Sequence, residues 1–354
     1  MNNNNLFSSF NIRGHEIKNR VVMPPLVNFG WADENGFINE RHVRHYEDRA
    51  KGGVGLIIVE ATCVKKDGRI IPSQPGIWSD DHIEGFKRIT KACKAHGAVI
   101  LLQIHHSGLI THASVTDQPK GPSLDPNMEK SRAFTNEEIH ELKNDFIAAA
   151  KRASLAGFDG IELHGAHGYL LNQFASSFFN KREDEYGGSH EKRLKLACDI
   201  IRGIRETVGD DFIIGYRLGS NSPAFEDGKK NAVVLEKAGL DLLHVSHGGG
   251  TGIIPEVPVG FEYNWIVYSG TQIRKEVKTP VIVVNEIKTP QRASFLIENG
   301  MADFTAIGKD LLTDPLWVKK AMNNEKIEYC IACKPKCKRY ESPELCPIEL
   351  KKGK

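Results

Sequence analysis

No apolar run in this chain approaches the roughly 20 residues that a membrane-spanning helix needs. Met1-Asn2-Asn3-Asn4-Asn5 has neither the basic nor the apolar region of a secretory signal. Charge of one sign is also missing, since 47 Lys and Arg against 45 Asp and Glu leave a formal net charge of +2. That balance gives no reason to expect nucleic acid or an anionic membrane as a partner. No glycine-rich GxGxxG turn follows the first strand-like run, which counts against a dinucleotide-binding open sheet. Cysteine is scarce outside the last 25 residues, where only Cys63, Cys93 and Cys198 occur, in ordinary segments that suit small buried thiols. These absences predict a cytoplasmic protein in a reducing compartment.

What the chain does contain is a repeated grammar. Eight aliphatic runs recur: Val21–Met23, Val54–Val59, Val99–Leu102, Ile161–Leu163, Phe212–Ile214, Leu240–Val245, Val281–Val284 and Phe304–Ile307. Their near-continuous apolarity is what strands buried on both faces require. Helical signals lie between them. Ile139, Leu142, Phe146, Ala149 and Ala153 fall at steps of three and four, opened by Thr135 and Glu138 at capping-box spacing and closed by Gly157. Thr289-Pro290, then Ala293, Leu296 and Ile297, then Gly300, repeats the pattern. A helix, a glycine stop and a buried strand, repeated some eight times, predict an α/β fold of the (β/α)8 TIM barrel type. A doubly wound open sheet is the rival. Two features interrupt the repeat: a proline-rich excursion after the third strand (roughly His105 to Arg132), and a cysteine-rich segment past Met322. The expected division is a barrel over residues 1–322 and a tail over 323–354.

Chemistry concentrates in Ile161 to Ser189, IELHGAHGYLLNQFASSFFNKREDEYGGS, where His164, His167 and Tyr169 follow an apolar run within a few residues. In a barrel all strand ends converge on one mouth. That convergence would bring together Pro24, Pro25 and Leu26 from strand 1, Ala61 beside Glu60 from strand 2, and Gln103 with His106 from strand 3. His164, Arg217 and the His247-to-Gly250 run come from strands 4, 5 and 6, with Asn285, Glu286, Gly308 and Lys309 from strands 7 and 8. Gly308-Lys309 at a helix start suits a phosphate, Gln103 can read a heterocycle edge, and Arg217 at the end of a buried strand needs an anion or an electron-rich ring.

At NRVVMPPL (19–26), HGAHGYLLNQF with NKREDEYGGS, and AIGKDLLTDP (306–315) the sequence resembles the Old Yellow Enzyme family of NADH:flavin oxidoreductases. The resemblance implies FMN across the barrel mouth, with Pro24, Pro25, Leu26 and Ala61 along the isoalloxazine and Gln103 on its pyrimidine edge. Arg217 would stand near the locus where reduction leaves negative charge, and Asn285, Gly308 and Lys309 would hold the phosphate. It further implies hydride transfer from NAD(P)H through the flavin to an activated alkene. His164 and His167 would hold the substrate oxygen, and Tyr169 would donate the proton. Six positions depart from the family pattern: Val27 for a Cys or Thr, Phe29 for Tyr, Leu109 and Lys309 for Arg, and Asn285-Glu286 where glycine is common.

Cys330-x2-Cys333-x3-Cys337-x8-Cys346 supplies four thiols with the composition of a [4Fe–4S] cluster or a zinc site. The barrel domains of 2-enoate and 2,4-dienoyl-CoA reductases carry a similar tail, usually with a longer last gap. The resemblance therefore implies a small-molecule alkene substrate, FMN, NAD(P)H and an iron–sulfur or zinc centre. An electron-donor protein and a homo-oligomer are further possible partners. Amine dehydrogenation or demethylation, and service as a flavin/iron–sulfur electron-transfer subunit, are the alternative activities.

Overall fold

A computed structural model describes the chain except residues 1–4, 29, 250–251, 336, 341–344 and 353–354. Most of the amino-terminal asparagine run, Phe29 and Gly250 therefore lie outside the described residues. The eight barrel strands are β1 (Val21–Met23), β2 (Leu56–Cys63), β3 (Val99–His105), β4 (Gly160–Gly165), β5 (Ile213–Gly219), β6 (Leu242–Ser246), β7 (Val281–Val284) and β8 (Phe304–Ala306). Each pairs in parallel with its sequence neighbour, and Thr305 of β8 pairs with Val21 of β1 to close the ring. Closure excludes the open-sheet rival.

The helix signals act as their chemistry demands. Thr135 Oγ1 accepts from the Glu138 N–H while the Glu138 carboxylate accepts from the Thr135 N–H, opening the helix Asn136–Leu155. Gly157 takes φ +83° after its end, a conformation that costs a residue with a Cβ. Thr289 caps Pro290–Glu298 from Arg292 N–H in the same way.

Four strands run past the aliphatic stretches read from sequence, with β2 reaching Cys63, β3 His105, β4 Gly165 and β5 Gly219. The reason is alternation. The inward positions at the amino-terminal ends, Val22, Leu56, Ile58, Val99, Leu101, Ile213, Leu242, Ile282 and Phe304, form one apolar cluster inside the barrel. Two to four residues further on, the same face carries Glu60, Gln103, Arg217 and His244, joined by Glu162 of β4, all buried. Strand continues there because the neighbouring backbone pairs, although the side chains are polar.

An antiparallel hairpin, Phe10–Ile12 with His15–Ile17, plugs the amino-terminal end and has no counterpart among the elements expected from sequence. Ile12 and Ile17 join the inner apolar cluster. Three look-alike helix–strand joints supply aspartates with one shared job. Asp159, Asp241 and Asp303 accept from the Ile100, Ile214 and Val281 N–H groups at 2.9, 2.8 and 2.9 Å, and so tie each joint to the neighbouring strand. Each also meets a cation: Lys94 at 2.6 Å, Arg13 of the hairpin at 2.6 Å and Arg274 at 2.5 Å. Asp241 carries Arg205 as well.

The segment after β1 is fastened from behind. The Asn28 N–H and Nδ2–H donate to Glu60 Oε2 (2.8 Å) and Oε1 (2.6 Å), and the Tyr46 hydroxyl donates to Oε1 (3.1 Å). The nearest basic group is His42, 4.0 Å away and itself pushed down to about 4 by burial. With no cation to hold its charge, burial raises the Glu60 carboxyl from 4.5 to about 7.

These contacts set two expectations. Asp241→Ala strands Arg205 and the Ile214 N–H. It should cost about 2–3 kcal/mol, below the ~3–5 for a fully buried pair because Arg13 keeps access to water. Asp241→Asn, which keeps an acceptor, should cost less, and equal guanidinium midpoints for both variants would refute the account. Glu60 is protonated more readily folded than unfolded. Its contribution is complete below the unfolded value and is lost as pH rises from 4.5 through about 7. Against Glu60→Gln, the wild type should lose up to about 3 kcal/mol between about pH 4.5 and about pH 8. Parallel stability–pH curves for the two would contradict the assignment.

Candidate active site

The mouth gathers the residues proposed from sequence. Pro24, Pro25 and Leu26 follow β1, and Ala61 sits where the β2–β3 register shifts between Val59 and Thr62, a local irregularity that re-aims side chains. Gln103 and Arg217 lie inside β3 and β5, Asn285 follows β7, and Gly308 and Lys309 follow β8. His164 is inside β4, one residue past the Ile161–Leu163 run read from sequence. His167 is in the turn at φ +60°, and Tyr169 precedes the short helix Leu170–Ala175. Two adjoining cavities result. One, of about 210 Å³, is bordered by Pro24, Asn285 and Gly308, and the other, of about 410 Å³, by Pro25, Ala61, Gln103, His164 and Tyr169. Leu26, His167, Arg217 and Lys309 border both, so all twelve non-cysteine candidates face one continuous space.

Asn172 and Gln173 explain the rest of the HGAHGYLLNQF motif. Asn172 Oδ1 accepts from the Gly168 and Gly249 N–H groups (2.9 and 3.1 Å), tying the β4 turn to the loop after β6. Gln173 Nε2 donates to Gly168 O (2.7 Å), while its Oε1 accepts from Leu109 N–H (3.1 Å), so the turn is held from both sides. The polar run NKREDEYGGS borders neither cavity of the mouth. Arg182 reaches Asp184, Asn136 Oδ1 and the Pro122 and Phe134 carbonyls, clamping the excursion after β3 to the barrel.

Burial sets the protonation of the mouth. His164 and His167 are both pushed well below the ordinary histidine value by desolvation, with Arg217 adding to it, so both rings are neutral. The Ala166 N–H donates to His164 Nδ1 (3.4 Å), which leaves the His164 proton on Nε2, 3.3 Å from His167 Nδ1. His167 then carries its proton on Nε2, 2.8 Å from Ser246 Oγ. The Tyr169 hydroxyl has no hydrogen-bond partner among the described residues. Desolvation raises its pKa while Arg217 lowers it, so it stays protonated at neutral pH. His105, which the sequence motifs pass over in favour of His106, packs its ring against Tyr169 (4.5 Å) and His164 (5.2 Å). Pushed down to about 3, it is neutral, and neither of its ring nitrogens has a partner among the described residues.

Beneath these groups lies a buried network that the sequence did not suggest. Glu162 Oε1 accepts from Gln103 Nε2 (2.7 Å), and Glu162 Oε2 meets His244 Nδ1 (2.8 Å). A glutamate in the middle of an apolar strand run was the available signal. Arg217 is buried beside it without a direct ion pair among the described residues; its Nε has no partner, and its one side-chain contact is Ser246 Oγ at 3.5 Å.

These groups fit FMN. A buried, unsatisfied guanidinium, a Gln103 carbonyl oxygen left free once its amide nitrogen is fixed, and a Lys309 ammonium without an ion pair among the described residues match an electron-rich ring edge and a phosphate. Asn285 and Glu286 adopt φ +104° and +54°, which explains why glycine suits these positions in relatives. The Glu286 side chain is exposed, as a carboxylate beside a phosphate must be.

Cys63, Cys93 and Cys198 are buried and unpaired as expected, and of the tail thiols Cys346 is buried too. Cys330, Cys333, Cys337 and Cys346 border one small cavity, and Cys330 N–H donates to Asp310 Oδ1 (2.8 Å). The thiols share a wall without converging: among the described residues no three His, Cys, Asp or Glu side chains form a metal-ready group.

The family model described as the NADH:flavin oxidoreductase / NADH oxidase family matches residues 5–328. An NADH oxidase of Thermoanaerobacter brockii is 41% identical over 351 residues, covering 94% of this chain and 53% of that protein. An NADPH dehydrogenase of Clostridium acetobutylicum is 37% identical over 323 residues, 88% of this chain and 93% of that one. The solved complex of a 2-naphthoyl-CoA reductase with 2-naphthoyl-CoA superposes with a TM-score of 0.86 at 26% identity, over 98% of this chain and 58% of that one. The chain thus spans about half the length of the NADH oxidase and nearly all of the shorter dehydrogenase. It belongs to the NADH:flavin oxidoreductase / NADH oxidase family, the Old Yellow Enzyme family of FMN-dependent oxidoreductases.

Proposed function

We propose that this protein is an ene-reductase, reducing the carbon–carbon double bond of an α,β-unsaturated carbonyl or similarly activated alkene. The observation that carries the reading is the meeting of the neutral His164–His167 pair and the free, protonated Tyr169 hydroxyl on one cavity. FMN, when bound, would take hydride from NAD(P)H and deliver it to the β-carbon. Pro24, Pro25, Leu26 and Ala61 would line its ring, Gln103 and Arg217 would hold the pyrimidine edge, and Asn285, Gly308 and Lys309 the phosphate.

The protein's own groups handle charge and protons. A substrate oxygen entering beside the histidines accepts from His164 Nε2–H. His167 can add a second donor by moving its proton to Nδ1, because the Ser246 hydroxyl can donate to His167 Nε2 as readily as it accepts. Neutral rings suit this role, because they stabilise negative charge building on that oxygen without protonating it early. Tyr169 then gives its proton to the α-carbon, and the nearby Arg217 eases the charge left on the phenolate. Amine oxidation, the rival within the family, builds no such oxyanion and leaves the histidine pair with nothing to stabilise.

The division into a barrel (1–322) and a tail (323–354) rests on the family match ending at residue 328. The 98% share matched by the reductase structure leaves too few residues over for the tail to fall outside it. Four thiols on one cavity support a metal-bearing tail, iron–sulfur before zinc; a separate electron-donor protein belongs to the same reading, and no step above is routed through the metal.

Tyr169→Phe should slow reoxidation of the reduced flavin by an enone about 10²-fold or more, with flavin reduction by NAD(P)H kept within a few-fold. Equal loss in both half-reactions, followed by stopped-flow absorbance, would remove Tyr169 from the proton-donor role. Anaerobically purified protein should carry iron, read together with its visible spectrum. A Cys333→Ser/Cys337→Ser variant should lose the iron while FMN stays bound, and wild type with neither iron nor zinc would end the metal proposal.

A further inference from the structure

We propose that Arg339, carried by the cysteine tail, is a specificity-determining residue that binds an anionic group, a carboxylate or phosphate, on the molecule entering the mouth. The proposal deepens the ene-reductase reading and rests on it for the identity of the reacting molecule. Arg339 lies in the short turn Lys338–Tyr340 between Cys337 and Cys346. Together with Cys337 it borders the larger cavity, the same one bordered by His164 and Tyr169. Its guanidinium makes no hydrogen bond or ion pair among the described residues, although the residue is partly buried. Buried Arg69 and Arg193 and half-buried Arg182 are committed: Arg69 to the Glu34, Lys66 and Pro72 carbonyls, Arg182 to Asp184, and Arg193 to the Ala175 and Gly188 carbonyls.

The surroundings make an unpartnered cation costly. The larger cavity is bordered by Arg217, Lys309 and Arg339, and by no aspartate or glutamate among the described residues. Behind it, the buried His45 is pushed well below its ordinary value first by burial, then by Arg49, Arg339 and His42, which gathers positive charge on that side of Arg339. Three cations around one concave space favour an occupant that brings negative charge, even though the buried Glu162 behind Arg217 offsets part of it. The cofactor accounts for two of them. Arg217 and Lys309 border both cavities, including the one with Asn285 and Gly308 that suits the phosphate. Arg339 borders the larger one and the small cavity of the four cysteines but not the one with Asn285 and Gly308, so the cofactor leaves it over. Its planar fork suits a carboxylate or phosphate, with charge-assisted bonds in a partly desolvated place.

Such an anion can come from the alkene substrate or from the 2′-phosphate of NADPH, and the experiment separates the two. Holoprotein with Arg339→Gln and with Arg339→Lys is compared with wild type. Calorimetric titration uses phenol and 4-hydroxybenzoate, which differ by one carboxylate, and flavin reduction is timed with NADH and NADPH. In Arg339→Gln, the preference for 4-hydroxybenzoate over phenol should fall roughly ten- to hundredfold, the worth of a charged hydrogen bond, and Arg339→Lys should restore part of it. A fall in the NADPH-to-NADH rate ratio instead would uphold the anion site and assign it to the coenzyme. If neither ratio moves, or if Arg339→Gln loses FMN on dialysis, the proposal is overturned, the second result giving Arg339 to the cofactor. Binding ratios need no turnover, so wild type that reduces no alkene would refute the ene-reductase reading while leaving this test in force.

Discussion

The mouth of this barrel depends on one buried carboxylate. Glu162 holds the Gln103 amide at 2.7 Å and the His244 ring at 2.8 Å, with Arg217 close enough for its charge to be felt. Inside a closed barrel there is little water to replace any of them, so each group is worth more to its neighbours than it would be at a surface. Fixing the amide nitrogen of Gln103 decides which way the side chain faces and leaves its carbonyl oxygen for a ligand. Placing a carboxylate near Arg217 without a direct ion pair makes that arginine tolerable in the interior while its Nε remains unsatisfied. A close pair would have been more stable and would have had less to offer a flavin.

The site also stores backbone strain. His167 at φ +60° and Glu286 at φ +54° are non-glycine residues in the left-handed region, each at a cost on the order of 1–3 kcal/mol. At His167 the loop is over-determined: Asn172 and Gln173 grip Gly168, and the His167 N–H donates to the His247 carbonyl at 3.1 Å. The strained residue is the one whose ring must meet His164, so the strain accompanies preorganisation. The ring pair is made before a substrate oxygen arrives, and the Ser246 hydroxyl, able to donate or accept, lets His167 change tautomer without moving a heavy atom.

The fold was legible wherever one physical cause acted alone. Caps at Thr135 and Thr289, the glycine at 157 and the aliphatic strand runs each follow from local chemistry, and each appears in the structure. Strand ends were misjudged where alternation and polarity conflict, because an inward Gln103 or Arg217 reads as a loop to any criterion based on apolarity. Eight of the twelve mouth residues lie in continuous motifs, and Ala61, Gln103, Arg217 and Asn285 were placed beside them because strand ends converge in a barrel. Glu162 and His244, far apart in sequence, become partners only when β4 and β6 curve around the same axis, and no local pattern records that. NKREDEYGGS ends the stretch where chemistry was expected to concentrate, but its polar groups are turned onto carbonyls and one another, and the contacts of Arg182 reveal a clamp.

The tail changes what the barrel can be. Cys330 borders the cavity that holds Asn285 and Gly308, while Cys337 and Arg339 border the one that holds Tyr169. A segment that forms a wall of both cavities cannot be ordered independently of what fills them. Among the described residues it is held to the barrel by the Cys330 N–H on Asp310, the Glu328 N–H on Asp314 and the Thr313 hydroxyl on the Glu328 carbonyl. A metal binding the four thiols would therefore act on the mouth through geometry, fixing Arg339 in place, whether or not it ever carried an electron. On the reading proposed above, loss of the metal and loss of selectivity for the incoming molecule would be the same structural event, because the turn that carries the cation is strung between two of the thiols.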